Sequence, residues 1–163
     1  MVVQLSDPVA VVVSCVAWVL VGIVSGYLLV RLPAERFSND SWLTRPRRFE
    51  DAGRWYQRRL RIRRWKDRLP EKGDLFRGGF SKRHLVDCSD AHLERFVAET
   101  RRAEYVHWCN LGAGPLFLLW CTPLLGTVMI GFGVVAHLPF IVVQRFNRER
   151  LTRILERRAR VRR

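Results

Sequence analysis

The side chains best suited to moving a proton in this sequence are Glu104 and His107, which lie in Glu99-Thr-Arg-Arg-Ala-Glu-Tyr-Val-His-Trp108. From Asp90 onward Leu93, Phe96, Val97, Thr100, Glu104 and His107 recur at helical spacing. At about 100° per residue they fall within about a third of the helical circumference. An apolar face therefore ends in a carboxylate and an imidazole that can touch, and groups of this kind on such a face need partners or a reaction. An imidazole can take a proton from a hydroxyl near neutral pH, and a neighbouring carboxylate can orient its ring. The alternative is that His107 and Trp108 only anchor the helix at a membrane surface, where amphipathic rings settle. A second polar cluster, Gln144-Arg-Phe-Asn-Arg148 followed by Arg150, supplies donors. Arg145 and Asn147 suit the oxyanion of a tetrahedral intermediate, while Arg145, Arg148 and Arg150 could instead hold the phosphates of a carrier molecule.

His84, in Ser81-Lys-Arg-His-Leu-Val-Asp87, is a further candidate, with a solvated loop histidine as its alternative. The His-x4-Asp pair of one large class of lipid acyltransferases is absent, because Asp87 and Asp90 stand three and six residues after His84. Cys15, Cys88, Cys109 and Cys121 show no CxxC spacing, so neither a zinc site nor a disulfide framework is expected. No metal and no resident cofactor are implied.

These residues need elements to hold them. A chain of 163 residues suffices for one domain, 1–163. Its 29 basic and 15 acidic residues give a net charge of +14, which points to phosphate, of nucleic acid or of anionic lipid. The distribution decides for lipid, because residues 1–30 hold no Lys or Arg and the basic residues begin at Arg31, beside an apolar run. Residues 8–30 are uncharged and rich in Val and Leu. As a helix they reach about 34 Å, enough for a bilayer core of about 30 Å. With Asp7 before this span and arginines after it, the positive-inside rule puts the N-terminus outside and the basic segments in the cytoplasm. A secretory signal is disfavoured by the missing basic start and the length of the run.

Residues 31–110 form a basic interfacial segment. Phe49, Ala52, Tyr56 and Leu60 fit a helix face, with Trp55, Ile62, Trp65 and Leu69 interleaved among arginines and Pro70 as the stop. Such interleaving suits anionic head groups. Single-stranded nucleic acid stacked on the tryptophans is the competing partner and is rejected, since membrane elements on both sides already account for the charge. Glu71 to Phe80 is a glycine-containing loop, and Asp90 is the expected N-cap of the helix bearing Glu104. Residues 111–143 are too long for one span and short for two. Gly112, Gly114, Pro115 and Thr122-Pro123 break them, which predicts a hairpin or re-entrant pair with Leu124 to Val143 as its stronger helix. A single tilted span would leave the arginine-rich tail outside, against the charge rule. The hairpin returns Arg145 and Asn147 to the depth of Glu104 and His107, and the tail 144–163 forms a separate basic helix on the membrane surface. The expected fold is thus an all-α membrane protein: an N-terminal transmembrane helix, basic amphipathic cytoplasmic helices, and a C-terminal transmembrane or re-entrant helical hairpin.

Five blocks carry a resemblance: Arg31-Leu-Pro-Ala-Glu-Arg-Phe37, Arg63-Arg-Trp-Lys-Asp-Arg-Leu69, Lys82-Arg-His-Leu85, Glu99 to Trp108, and Leu138-Pro-Phe-Ile-Val-Val-Gln-Arg-Phe-Asn-Arg-Glu-Arg-Leu151. In order and approximate spacing, from about residue 31 to 155, the chain resembles the glycosyl-diaponeurosporenoate acyltransferases of staphylococcal staphyloxanthin synthesis. The resemblance implies a membrane enzyme that esterifies a sugar hydroxyl of a glycosylated carotenoid with a fatty acyl chain. The expected function is accordingly a membrane-bound O-acyltransferase acting on a lipid-linked sugar, with acyl-CoA or acyl carrier protein as donor. His107 is the base, Glu104 orients it, and Arg145, Asn147, Arg150, Gln144 and His84 bind substrate. The other reading is a non-enzymatic assembly or anionic-lipid scaffold protein, which explains the charge and the helices equally well.

Overall fold

The computed structural model describes residues 5–69 and 89–163, and among these the chain is helical or in turns, without a strand. Four α-helices carry the architecture: α1 (Asp7–Arg31), α2 (Arg54–Leu60), α3 (Asp90–Ala113) and α4 (Pro123–Val161). Helix α1 starts with Asp7 and a proline in its first turn and ends on Arg31, each placed as the helix dipole and the unpaired end groups favour. Only a narrow stripe of it is buried, Ala10, Ser14, Trp18 and Gly26, while Val12, Val16, Val19, Leu20 and Leu28 are exposed. A helix apolar on all sides with so little of it covered has the surface of one that faces lipid. Both α1 and α4 are long and apolar enough to cross a membrane.

The path is set by pairs along the helices. Helix α1 runs antiparallel to α3: Arg102 Nη2 donates to Leu32 O at 2.9 Å, and Asn110 Nδ2 donates to Ser25 Oγ at 3.0 Å. Past α3, Trp120 Nε1 donates to Ser14 Oγ at 3.1 Å, and Leu5 N donates to Trp120 O at 3.4 Å. A 3-10 turn at Gly114–Leu119 ends α3, and Thr122 caps α4 by accepting from Leu125 N. Helix α4 then returns along α3, with Gly114 near Ile130 and Glu104 at Arg145. The chain path is therefore a hairpin whose tip, 114–122, is level with the start of α1.

Four expectations are corrected. The rising arm of the hairpin is the second half of α3, so the glycine, proline and threonine breaks merge into one tip. The tail is not a separate helix, since α4 continues from Pro123 to Val161. No glycine, proline or cap interrupts residues 144–161, and α3 offers Leu151, Ile154 and Leu155 a partner surface in Leu93, Phe96 and Val97. Those residues pack on protein rather than on a membrane. Nor is 49–69 one helix. A 3-10 turn at Arg48–Glu50 leads into three successive left-handed residues, Asp51, Ala52 and Gly53, and α2 stops at Leu60 against a left-handed Arg61. At Gly53, with φ +80°, glycine carries no steric cost, and an added Cβ would lie 3.1 Å from that of Glu149. The folded-back segment buries Tyr56 and Ile62 against Val143 and Phe146, while Phe49 stays exposed. That burial is what a continuous helix would forgo. Pro70, the loop from Glu71 and His84 lie outside the described residues. Finally, the N-cap of α3 is Ser89, whose hydroxyl accepts from His92 N, and Asp90 begins the helix itself.

Candidate active site

Helix α3 is covered on two sides, which explains why Glu99, Arg101, Arg102 and Glu104 are buried together with its apolar residues. Arg101 reaches out of it to Asp40 (2.7 Å) and to the carbonyls of Phe37 and Ser38. Arg102 pairs with Glu99 and lies over the Phe37 ring. These bonds strap residues 32–40 across the basic end of the bundle.

One turn further along α3, Glu104 is fully buried and held by three side chains. Arg145 Nε donates to Oε1 at 2.7 Å, Trp108 Nε1 donates to the same oxygen at 3.1 Å, and Arg148 Nη1 lies 2.7 Å from Oε2. The spacing of Arg145 and Arg148 puts both guanidiniums on one face of α4. Arg145 Nη1 also donates to Glu50 Oε1 at 2.6 Å, and Glu50 is 1% exposed. The remaining ends of the two arginines meet the carbonyls of Leu43 and Thr44, presented by a Ser41–Thr44 turn. Two carboxylates and two guanidiniums thus form a charge-balanced buried cluster, the arrangement that makes burying any of them tolerable. Tyr56 lies beside it, and burial, reinforced by the Glu50 carboxylate, pushes its phenol well above the usual range, so it stays neutral.

His107 lies beyond this cluster, toward the hairpin tip. Its Nδ1 is 3.2 Å from Nδ1 of His137 on α4, and its ring stacks on Phe140 at 4.8 Å between centroids. His137 in turn lies against Trp18 of α1, 5.5 Å between centroids. Three helices therefore meet at the histidine pair. Pro139, within the same turn of α4, lacks the amide hydrogen that would bond the Val135 carbonyl, which loosens the helix where His137 and Phe140 turn toward α3.

Of the residues singled out from sequence, Glu104, His107 and Arg145 come together at the α3–α4 interface. The bonds described for Glu104 go to arginines and a tryptophan. Asn147 and Arg150 are about 200° and 140° around α4 from Arg145, so they leave this interface; Asn147 is half-buried and Arg150 exposed. Gln144 is half-buried on the flank. Arg148, named only as a phosphate binder, is instead a full member of the cluster. Two residues escaped the sequence reading. Glu50 has no periodic signal, because its position is set by a 3-10 turn. His137 did carry one: a lone ionisable side chain in a long uncharged run is a functional residue by default. Among the described residues no cluster of three or more His, Cys, Asp or Glu could hold a metal ion.

Comparison with known proteins gives one consistent answer. The sequence profile of the glycosyl-4,4'-diaponeurosporenoate acyltransferases matches residues 39–157. A protein of that name from Staphylococcus aureus strain bovine RF122 / ET3-1 is 31% identical over 145 residues, covering 86% of this chain and 87% of its relative. The protein of the same name from strain USA300 is 30% identical over 145 residues, with the same coverage. No solved structure matches the chain. The profile spans most of the chain, including both sides of the α3–α4 interface and the 41–50 segment that meets its arginines, and so the chain belongs to the glycosyl-4,4'-diaponeurosporenoate acyltransferase family.

Proposed function

We propose that this protein is a membrane-embedded O-acyltransferase that moves a fatty acyl group from a thioester donor, acyl-CoA or acyl carrier protein, to a sugar hydroxyl of a glycosyl carotenoid. The relatives' name supplies the acyl transfer and the acceptor class. The observation that carries the residue assignment is the placement of His107. It is an imidazole on the apolar part of α3, held between Phe140 and His137, where an amphipathic acceptor can bring a head-group hydroxyl while its chain stays in lipid. In the reaction, the hydroxyl oxygen bonds to the acyl carbon as its proton passes to His107 Nε2. Collapse of the tetrahedral intermediate breaks the carbon–sulfur bond, and the departing thiolate takes that proton from the imidazolium. A base so placed is worth about 10²- to 10⁴-fold.

The buried cluster supports a division of labour. With its guanidinium nitrogens committed to Glu104, Glu50 and a carbonyl, Arg145 positions α4 against α3 and the 41–50 strap rather than reaching for substrate. Gln144, Asn147 and Arg150, at the same depth but off the centre of the interface, are the side chains we assign to a donor's polar carrier. The bilayer orientation follows the charge: N-terminus outside, basic segments cytoplasmic. The test compares lipid extracts by mass from cells that make glycosyl-4,4'-diaponeurosporenoate and carry the wild-type gene, no gene, or His107→Ala. A species heavier by one acyl chain is expected only with the wild type. Its formation in full by a well-inserted His107→Ala protein overturns the assignment. The scaffold reading draws support from one observation, that Glu104 and Arg145 are spent on holding the fold, and it predicts no such species in any of the three.

A further inference from the structure

We infer that His137 is the positioning partner of the His107 base: it fixes the tautomer of His107 through an Nδ1–H···Nδ1 hydrogen bond and stabilises the imidazolium that forms during the reaction. The inference rests on the proposed reading of His107 as the base and names the residue that makes it one.

The geometry leaves few choices. Two ring nitrogens 3.2 Å apart are hydrogen-bonded only if one of them carries the hydrogen. In a neutral pair, the ring that donates from Nδ1 has its lone pair on Nε2, and the ring that accepts at Nδ1 carries its hydrogen on Nε2. The pair therefore always consists of one imidazole with a basic Nε2 and one with a donor Nε2. Surroundings select which is which. His137 lies against the Trp18 ring of α1, which itself packs on Phe117 and Phe132. His107 lies one turn of α3 from the polar cluster of Glu104, Arg145 and Arg148 and stacks on Phe140. His107, the ring nearer that polar cluster, is taken as the Nδ1–H donor with a basic Nε2. When that nitrogen takes the hydroxyl proton, the Nδ1–H···Nδ1 bond becomes charge-assisted, and such bonds are about twice as strong as neutral ones. His137 thus supplies, without a formal charge, what a carboxylate supplies to a histidine elsewhere. Glu104, whose oxygens lie on Arg145, Arg148 and Trp108, serves the helix packing instead.

The test uses full-length protein in detergent micelles with histidine labelled by ¹⁵N, and activity measured with glycosyl-4,4'-diaponeurosporenoate and a long-chain acyl-CoA. In the wild type, the ¹⁵N shifts are expected to report His107 protonated at Nδ1 and His137 at Nε2. His137→Phe keeps a ring against Trp18 but removes the acceptor. It is expected to return His107 to a mixture of tautomers and to lower kcat about 10²-fold with KM little changed. His137→Asn restores an acceptor oxygen and is expected to recover kcat to within about tenfold of wild type, with the pH–rate profile moved in step. The inference is overturned if His107 shows the Nε2–H tautomer in the wild type, or if the Phe variant keeps full kcat, or if the Asn variant fares no better than Phe. Failure of the base assignment looks different: His107→Ala would then acylate at the wild-type rate while the ¹⁵N spectrum of the wild type still shows the paired tautomers.

Discussion

A carboxylate held by two guanidiniums and a histidine held by another histidine lie one helical turn apart on α3, and their substitution should have opposite signatures. Glu104→Ala leaves Arg145 and Arg148 buried without their shared counter-ion. Removing one partner of a buried ion pair costs about 3–5 kcal/mol. The expected outcome is a fall in membrane-inserted protein and in melting temperature, with the activity lost in proportion to the protein. Glu50→Ala should behave the same way, because Arg145 loses its second partner. His107→Ala removes a ring from a half-buried position and leaves the pairs of Glu104 with Arg145 and Arg148 in place. Inserted protein should stay near wild type while acyl transfer falls by about 10²-fold or more. Quantifying inserted protein and product in the same membranes separates the two patterns, and a His107→Ala protein that disappears with its activity would make this histidine structural. The carboxylate and the imidazole were both legible in the sequence from their place on an apolar face. The return of Arg145 to the same depth was legible as well, from the hairpin, but the groups that hold Arg145 and Arg148 from the other side were not, because Glu50 and the carbonyls of Leu43 and Thr44 reach the site through turns whose geometry has no period.

At the scale of the elements, the periodic parts were readable and the irregular ones were not. The face Leu93, Phe96, Val97, Thr100 and Glu104 of α3 is buried as its spacing predicts. The same logic applied to Phe49, Ala52, Tyr56 and Leu60 failed, since three left-handed residues intervene and of these four only Tyr56 joins the core. Local spacing could not reveal that α4 would offer Val143 and Phe146 to it. The length of α4 was hidden for a related reason: its last turns are helical because α3 lies beside them, which only the three-dimensional partner supplies. Two predictions belong here. Gly133 lets α1 approach α4, and a Cβ there would meet the Trp18 ring at 2.6 Å. Gly133→Val should therefore destabilise the α1–α4 packing by about 1–3 kcal/mol, read as a lower melting temperature in micelles, and Trp18→Leu in the same chain should relieve part of it. At the other end, Arg158 and Arg162 hold Asp90 at 2.9 and 2.6 Å. The hydrogen bond from Arg158 and the charges of both arginines lower the Asp90 carboxyl below its usual range. A depressed folded pKa contributes stability that is present above the unfolded value of about 3.9 and lost as pH falls through the folded one. Amide exchange in the last turns of α4 should be slow at pH 6, change little to pH 5, and accelerate below about pH 4. Because both arginines are partly exposed, added salt should speed it as well.

For the whole molecule, the charge serves two ends. Arg101, Arg102, Arg145 and Arg148 are buried and build the basic end of the bundle, so the excess of arginine is partly architecture. Others, such as Arg54 and Arg58 on α2 and Arg162 near the end of α4, are largely exposed and pair with Asp51 and Asp90. This arrangement ties the topology together more tightly than the charge rule alone. Leu5 N bonds Trp120 O, and Thr122 Oγ1 donates to Asp7 at 3.5 Å, so the start of α1 and the hairpin tip share one end. Leu32 and Arg102 share the other. In the proposed membrane orientation the tip therefore lies on the side of the N-terminus, with Arg61 and Arg163 opposite, and the stretches proposed to cross are α1, the second half of α3 with its 3-10 turn, and the first half of α4. In a variant whose four cysteines are replaced by serine or alanine, single cysteines at Ser6 and Thr122 should react with an impermeant maleimide in intact cells. Cysteines at Arg61 and Arg163 should react only after the cells are opened. Labelling of Ser6→Cys from outside with Thr122→Cys reached only from inside would break the hairpin path. Labelling of all four positions from the opposite sides would keep the path and invert the orientation, placing His107 toward the outer leaflet and requiring an acyl donor there instead of a cytoplasmic thioester.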